Sequence, residues 1–142
     1  MRITTTSILS ILVLCGCQQT NSNYNQATCN DNFKISGNIF VGTQYTANMQ
    51  FSDVDYDKAY KNTYSYILKN GYNINNADKN LGTIAASTNS ASGKSVPYNA
   101  VVEKLDAGSK VSISYSTPAA VSSPDNLVRD DFCSLFTSIK KN

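Results

Sequence analysis

The chain has 142 residues, with 12 Lys+Arg against 10 Asp+Glu, a net charge of +2, and no His. This near-balance gives no electrostatic case for nucleic acid, whose readers carry a clustered basic face, and the lack of His excludes Ser-His-Asp and Cys-His catalysis. The length suits one small domain, and part of its 41% hydrophobic content sits in an N-terminal block, which leaves a modest core.

The N-terminus reads as an export signal. Met1 and Arg2 precede the polar Thr4-Thr5-Thr6-Ser7, and a seven-residue block from Ile8 to Leu14 follows. A membrane-spanning helix needs roughly 17–25 residues, so the block is too short to be one. Leu14-Cys15-Gly16-Cys17 then resembles a bacterial lipobox: an aliphatic residue, a small residue, Gly or Ala, and the Cys that carries lipid. The resemblance implies a signal peptide over 1–16, diacylglyceryl transfer to the Cys17 sulfur and acylation of the new amino terminus. Durable anchoring takes two acyl chains, and three exceed that. In the same family an Asp after the lipidated Cys favours inner-membrane retention; Gln18 stands here, which implies the outer membrane. Without Arg2 the mature chain carries 11 Lys+Arg against 10 Asp+Glu, a charge near +1.

With Cys15 removed and Cys17 lipidated, Cys29 and Cys133 remain, and an even remainder in an exported protein reads as a disulfide. No C-x-x-C spacing and no His support a metal site, so neither metal nor cofactor is expected. Residues 17–32, rich in Gln, Asn, Ser and Thr, read as a lipidated flexible tether, and 33–142 as a single α+β domain. The twelve steps from Cys17 to Cys29 span at most about 40 Å, which keeps the domain close to the bilayer.

Within the domain, Phe33–Val41 reads as a short strand interrupted at Gly37. Tyr45, Ala47, Met49 and Phe51 then alternate with Gln44, Thr46, Asn48 and Gln50, as on a half-buried strand. Asp53, Asp55 and Asp57 resemble the start of a calcium loop, but Lys58 and Tyr64 stand where that loop needs Gly and Glu. Asp53 or Asp55 serves better as the cap of a helix from about Tyr56 to Asn70. Its apolar face is Tyr56, Tyr60, Thr63, Tyr64 and Ile67, its wet face Lys58, Lys61, Asn62, Ser65 and Lys69, and Gly71 ends it. Strands follow at Tyr72–Ala77, Leu81–Thr88, Val96–Leu105 and Lys110–Ser116, with Asp78-Lys79-Asn80 and residues 106–109, "DAGS", as turns. Ser122-Ser123-Pro124-Asp125 opens a last helix whose apolar face is Val128, Phe132, Leu135, Phe136 and Ile139. At about 100° per residue Cys133 lies off the centre of that stripe, so its sulfur is expected on the helix flank, outside the core. The order predicts an α+β fold: an antiparallel sheet of four to six strands with two helices on one face.

No catalytic group emerges. "SGKS" at 92–95 lacks the distal Gly and the following helix of a phosphate loop, and reads as a turn. Ser138-x-x-Lys141 matches S-x-x-K without its companion motifs. Asp53, Asp55, Asp130 and Asp131 supply carboxylates for a glycosidase pair, yet each also fits a helix end or the surface. "YSYILKNGYNINNADKNLGTIAAS", residues 64–87, is similar, through Leu68, Gly71, Tyr72, Ile74, Asp78, Gly82 and Ile84, to the helix–Gly–strand–turn–strand unit of small envelope lipoproteins with a helix-grip α+β domain. The BamC component of the outer-membrane protein assembly machinery is one of these.

These readings predict a non-catalytic lipoprotein that contacts an envelope protein partner at the periplasmic face of the outer membrane. The alternative is an envelope binding protein or inhibitor, for a small ligand or a lysozyme-like enzyme.

Overall fold

The computed structural model describes residues 28–141. A short helix α1 (28–32) leads into β1 (Lys34–Asn38) and β2 (Gly42–Phe51), and α2 (Tyr56–Lys69) follows. The chain continues through β3 (Asn73–Asp78), β4 (Thr83–Asn89), β5 (Ser95–Lys104) and β6 (Ser109–Thr117) to α3 (Asp125–Lys141). The strands form one antiparallel sheet in the order β1-β2-β6-β5-β4-β3. It is an α+β fold, and α2 and α3 pack on one face of the sheet and on each other.

Period-two patterning sets the faces. In β2, Tyr45, Ala47, Met49 and Phe51 point inward, joined by Val111 and Ile113 of β6 and by Val96, Tyr98, Ala100 and Val102 of β5. Asp55 caps α2 by accepting a hydrogen bond from the Lys58 N–H at 2.8 Å, satisfying an orphan donor of the first turn. The chain leaves β5 for β6 through Gly108, whose φ of +85° and approach to the Phe51 carbonyl leave no room for a side chain. Asn62, expected on the wet face of α2, is instead buried and donates to the Ile139 carbonyl of α3 at 3.1 Å. The contact between the two helices turns that position inward.

Cys29 and Cys133 are disulfide-bonded, with Cα atoms 5.6 Å apart. The expected flank position of the sulfur does not hold: Cys29 is 0% and Cys133 2% exposed, and both belong to the core. The cause is α1, which lies within the segment expected as tether. It is bonded to that flank of α3, and Phe33 behind it packs on Phe132 and Tyr45 with ring centroids 5.8 and 6.1 Å apart. What would be a solvent-facing flank is thereby covered. The boundaries at residues 16 and 17, with Cys17 itself, lie outside the described residues.

Among the described residues no helix is long and apolar enough to cross a membrane. The β1–β2 turn exposes Ile39, Phe40 and Val41. It is held by Asn38 Oδ1, which accepts from the Phe40 N–H at 2.9 Å and the Val41 N–H at 3.4 Å.

Candidate functional site

Strand register places three tyrosines in one row. Tyr45 of β2 is the cross-strand partner of Tyr115 of β6, which is in turn the partner of Tyr98 of β5. Their rings lie 6.0 and 6.3 Å apart along the row. On β4 the position opposite Tyr98 is Ala86, too small to extend the row. Tyr72, just ahead of β3, closes on Tyr98 at 4.3 Å instead.

The first half of α3 lies over this row and leaves a cavity of about 230 Å³, with Tyr72, Tyr98, Tyr115 and Phe132 among its walls and Asp131 beside them. Ser123, Pro124 and Leu127 also line it, with Pro124 and Leu127 exposed. The α3 entry is fixed by two tyrosines: Tyr45 Oη donates to the Ser123 carbonyl at 2.9 Å and to Asp125 Oδ1 at 3.0 Å, and Tyr115 Oη lies 3.1 Å from Ser123 Oγ. Burial first, and then the hydrogen bond and charge of Asp125, push the Tyr45 hydroxyl up to about 12.

Asp131 is the polar centre. Its Oδ1 accepts from Tyr66 Oη of α2 at 3.0 Å, and its Oδ2 from Tyr72 Oη at 3.3 Å. The Tyr98 hydroxyl faces the same carboxylate and contributes to holding its charge, but among the described residues it finds no hydrogen-bond partner of ordinary geometry, on a side chain that is 0% exposed. Among the described residues Asp131 forms no salt bridge; Arg129, two residues before it, lies 3.9 Å from the Asp130 carboxylate. Desolvation by burial outweighs the tyrosine hydrogen bonds and raises the Asp131 pKa above the ordinary aspartate value. Burial and this carboxylate likewise raise Tyr66 and Tyr72 above 10.

A carboxylate raised in the folded state binds its proton more tightly there than in the unfolded chain. The Asp131 contribution to stability therefore grows as pH falls through its folded pKa toward the unfolded value. Asp131→Asn, which keeps shape and one acceptor, is expected to fold. It should lose this part of the rise in Tm as pH falls from neutral toward the ordinary aspartate range, as a thermal denaturation series in both forms would measure.

The other sequence candidates are placed apart. Asp53 lies 3.8 Å from Lys140, Asp55 caps α2 and Asp57 pairs with Lys79 at 2.7 Å. Among the described residues no group of three His, Cys, Asp or Glu side chains is arranged to hold a metal. The 92–95 segment completes the β4–β5 hairpin turn, with the Ser90 N–H donating to the Lys94 carbonyl at 2.9 Å. A larger, open depression of about 960 Å³ runs beside α2, lined also by Lys58 and Lys61, but its carboxylates Asp55 and Asp57 are engaged in the cap and the Lys79 pair.

The tyrosine cavity was not singled out from sequence, although one signal for it exists. Asp131 stands three residues after Val128 and four before Leu135, on the apolar face of its own helix. A carboxylate there requires partners inside the fold.

No family model matches the chain, and no curated protein matches it. Among solved structures, it is similar to Ara h 8.0201 at 14% identity and a TM-score of 0.51, over 69% of this chain and 94% of that one. It is similar also to the conserved protein of unknown function EF2215 from Enterococcus faecalis, at 9% identity and a TM-score of 0.55, over 86% of this chain and 82% of that one. At these identities the likeness is one of fold.

Proposed function

We propose that this chain is a non-catalytic, lipid-anchored binding protein of the bacterial cell envelope, attached through Cys17 at the periplasmic face of the outer membrane and taking a small ligand between α3 and the sheet. One observation carries the binding part: a concave site, walled in part by aromatic rings, with a half-buried carboxylate on which tyrosine hydroxyls converge. Such pairing of apolar walls with a few convergent polar groups is characteristic of ligand sites. At about 230 Å³ the cavity falls below the usual range of roughly 300–1,000 Å³, so the ligand is smaller than a typical cofactor. The anchor rests on Leu14-Cys15-Gly16-Cys17.

A second reading, contact with an envelope protein, draws on the β1–β2 tip, where Phe40 is 85% and Val41 76% exposed on a turn held by Asn38. Exposed apolar side chains on a fixed turn suit a protein interface.

Native mass spectrometry of protein taken from envelopes separates these readings. The expected species carries acyl groups on Cys17 and a non-covalent small molecule. Cys17→Ser stays at precursor mass without acyl label, and Val128→Phe, which narrows the cavity, loses the small molecule. An unmodified Cys17 would refute the anchor. Ligand-free protein that captures an envelope partner in a Phe40-dependent manner would replace the first reading with the second.

A further inference from the structure

The cavity's chemistry narrows the ligand, resting on the binding-protein reading above. Three features of the site act together. Tyr72 and Tyr115 present part of their aromatic rings to one space, with the buried rings of Tyr98 and Phe132 behind them, and aromatic rings attract cations through their quadrupoles. The Asp131 carboxylate stands beside them with tyrosine hydroxyls as donors and, among the described residues, no cationic side chain in reach. A half-buried carboxylate in such surroundings is stabilised by an opposite charge brought close to it. Tyr98, wholly buried, turns its hydroxyl to the same carboxylate without reaching ordinary hydrogen-bond geometry, so the polar network is not closed tightly within the chain itself.

We propose that the cavity is a cage for a small organic cation, an ammonium or quaternary ammonium group seated against the aromatic rings of Tyr72 and Tyr115, with the buried Phe132 ring behind them, and opposite the Asp131 carboxylate. Size sets the upper limit. At about 30 Å³ per water-sized group, roughly eight non-hydrogen atoms fill the 230 Å³. That admits tetramethylammonium or choline and excludes a nucleotide or a sugar chain. The α2 depression lacks this combination, because its carboxylates Asp55 and Asp57 are already engaged by the helix cap and by Lys79.

Calorimetric titration of the full-length protein in a non-ionic detergent tests the cage with tetramethylammonium, choline and choline's uncharged tert-butyl analogue. The expected result is a preference of about tenfold or more for choline over the analogue, the scale of a desolvated cation–π and charge contact. Asp131→Asn should remove the preference while leaving the weak binding of the analogue. Tyr115→Phe should keep the preference and Tyr115→Leu should reduce it, so a folding defect in one variant does not decide the outcome. Equal affinity of the wild-type protein for choline and its analogue would overturn the cage and leave a site for a neutral ligand. Absence of binding by all three probes would also overturn it, and the molecule released in native mass spectrometry would then judge the binding-protein reading separately.

Discussion

Replacing Cys29 and Cys133 together by Ala is expected to cost about 4 kcal/mol and to lower Tm by roughly 15 °C. The bond closes a sequence separation of 104, for which the chain-entropy account gives up to about 4.7 kcal/mol, within the roughly 2–5 usual when a small domain loses a native disulfide. Two features keep the effect near the upper end. Both sulfurs are buried in the core, so their removal also leaves unfilled volume. The bond also holds α1 against α3, and α1 delivers Phe33 to Phe132 and Tyr45. Thermal unfolding of the double variant beside the oxidised protein measures this, and a shift below about 5 °C would show that α1 is held by packing alone. Alkylation of the folded protein without reductant checks the bond directly, since two freely labelled thiols would remove the argument.

Phe132→Ala carries the next largest expected effect, about 3–5 kcal/mol. The ring is 0% exposed and meets Phe33 and Tyr98 edge-on, each at 5.8 Å. Such aromatic pairs contribute roughly 0.5–1.5 kcal/mol beyond their buried area. The ring also forms one wall of the tyrosine cavity, so its loss enlarges an existing space that rigid strands do not let collapse. Urea unfolding should show the midpoint falling with the m-value unchanged. A fall in m would place the effect in the denatured ensemble or in loss of two-state behaviour. Because residues 132 and 133 are adjacent, the costs of Phe132→Ala and of losing the disulfide are not expected to add.

Much of the fold was legible because its elements obey local rules. The helix expected from about Tyr56 to Asn70 is α2, Tyr56–Lys69, with Asp55 as its cap. The alternation from Tyr45 to Phe51 is the inner face of β2, and "DAGS" is the β5–β6 turn with Gly108 at positive φ. What was not legible depends on contacts between elements distant in sequence. Asn62 reads as wet until α3 supplies the Ile139 carbonyl. Cys133 reads as a flank residue until α1 covers it. Asp131 reads as a helix-end or surface carboxylate, although its position among Val128, Phe132 and Leu135 conflicts with the amphipathic pattern. That conflict is resolved only by tyrosines from α2, from the segment before β3 and from β5. Local consistency specifies elements, whereas a site is often where it fails.

The central claim is that ligand enters the tyrosine cavity and not some other surface of the domain. Its most direct test is the NMR spectrum of protein with isotope-labelled tyrosine rings, recorded during titration with tetramethylammonium. The account predicts saturable shifts in Tyr72, Tyr98 and Tyr115, which line the cavity, and none in Tyr64, which lines the α2 depression. Shifts in Tyr64 with the three cavity rings unmoved, or a spectrum unchanged at saturating probe, would contradict it.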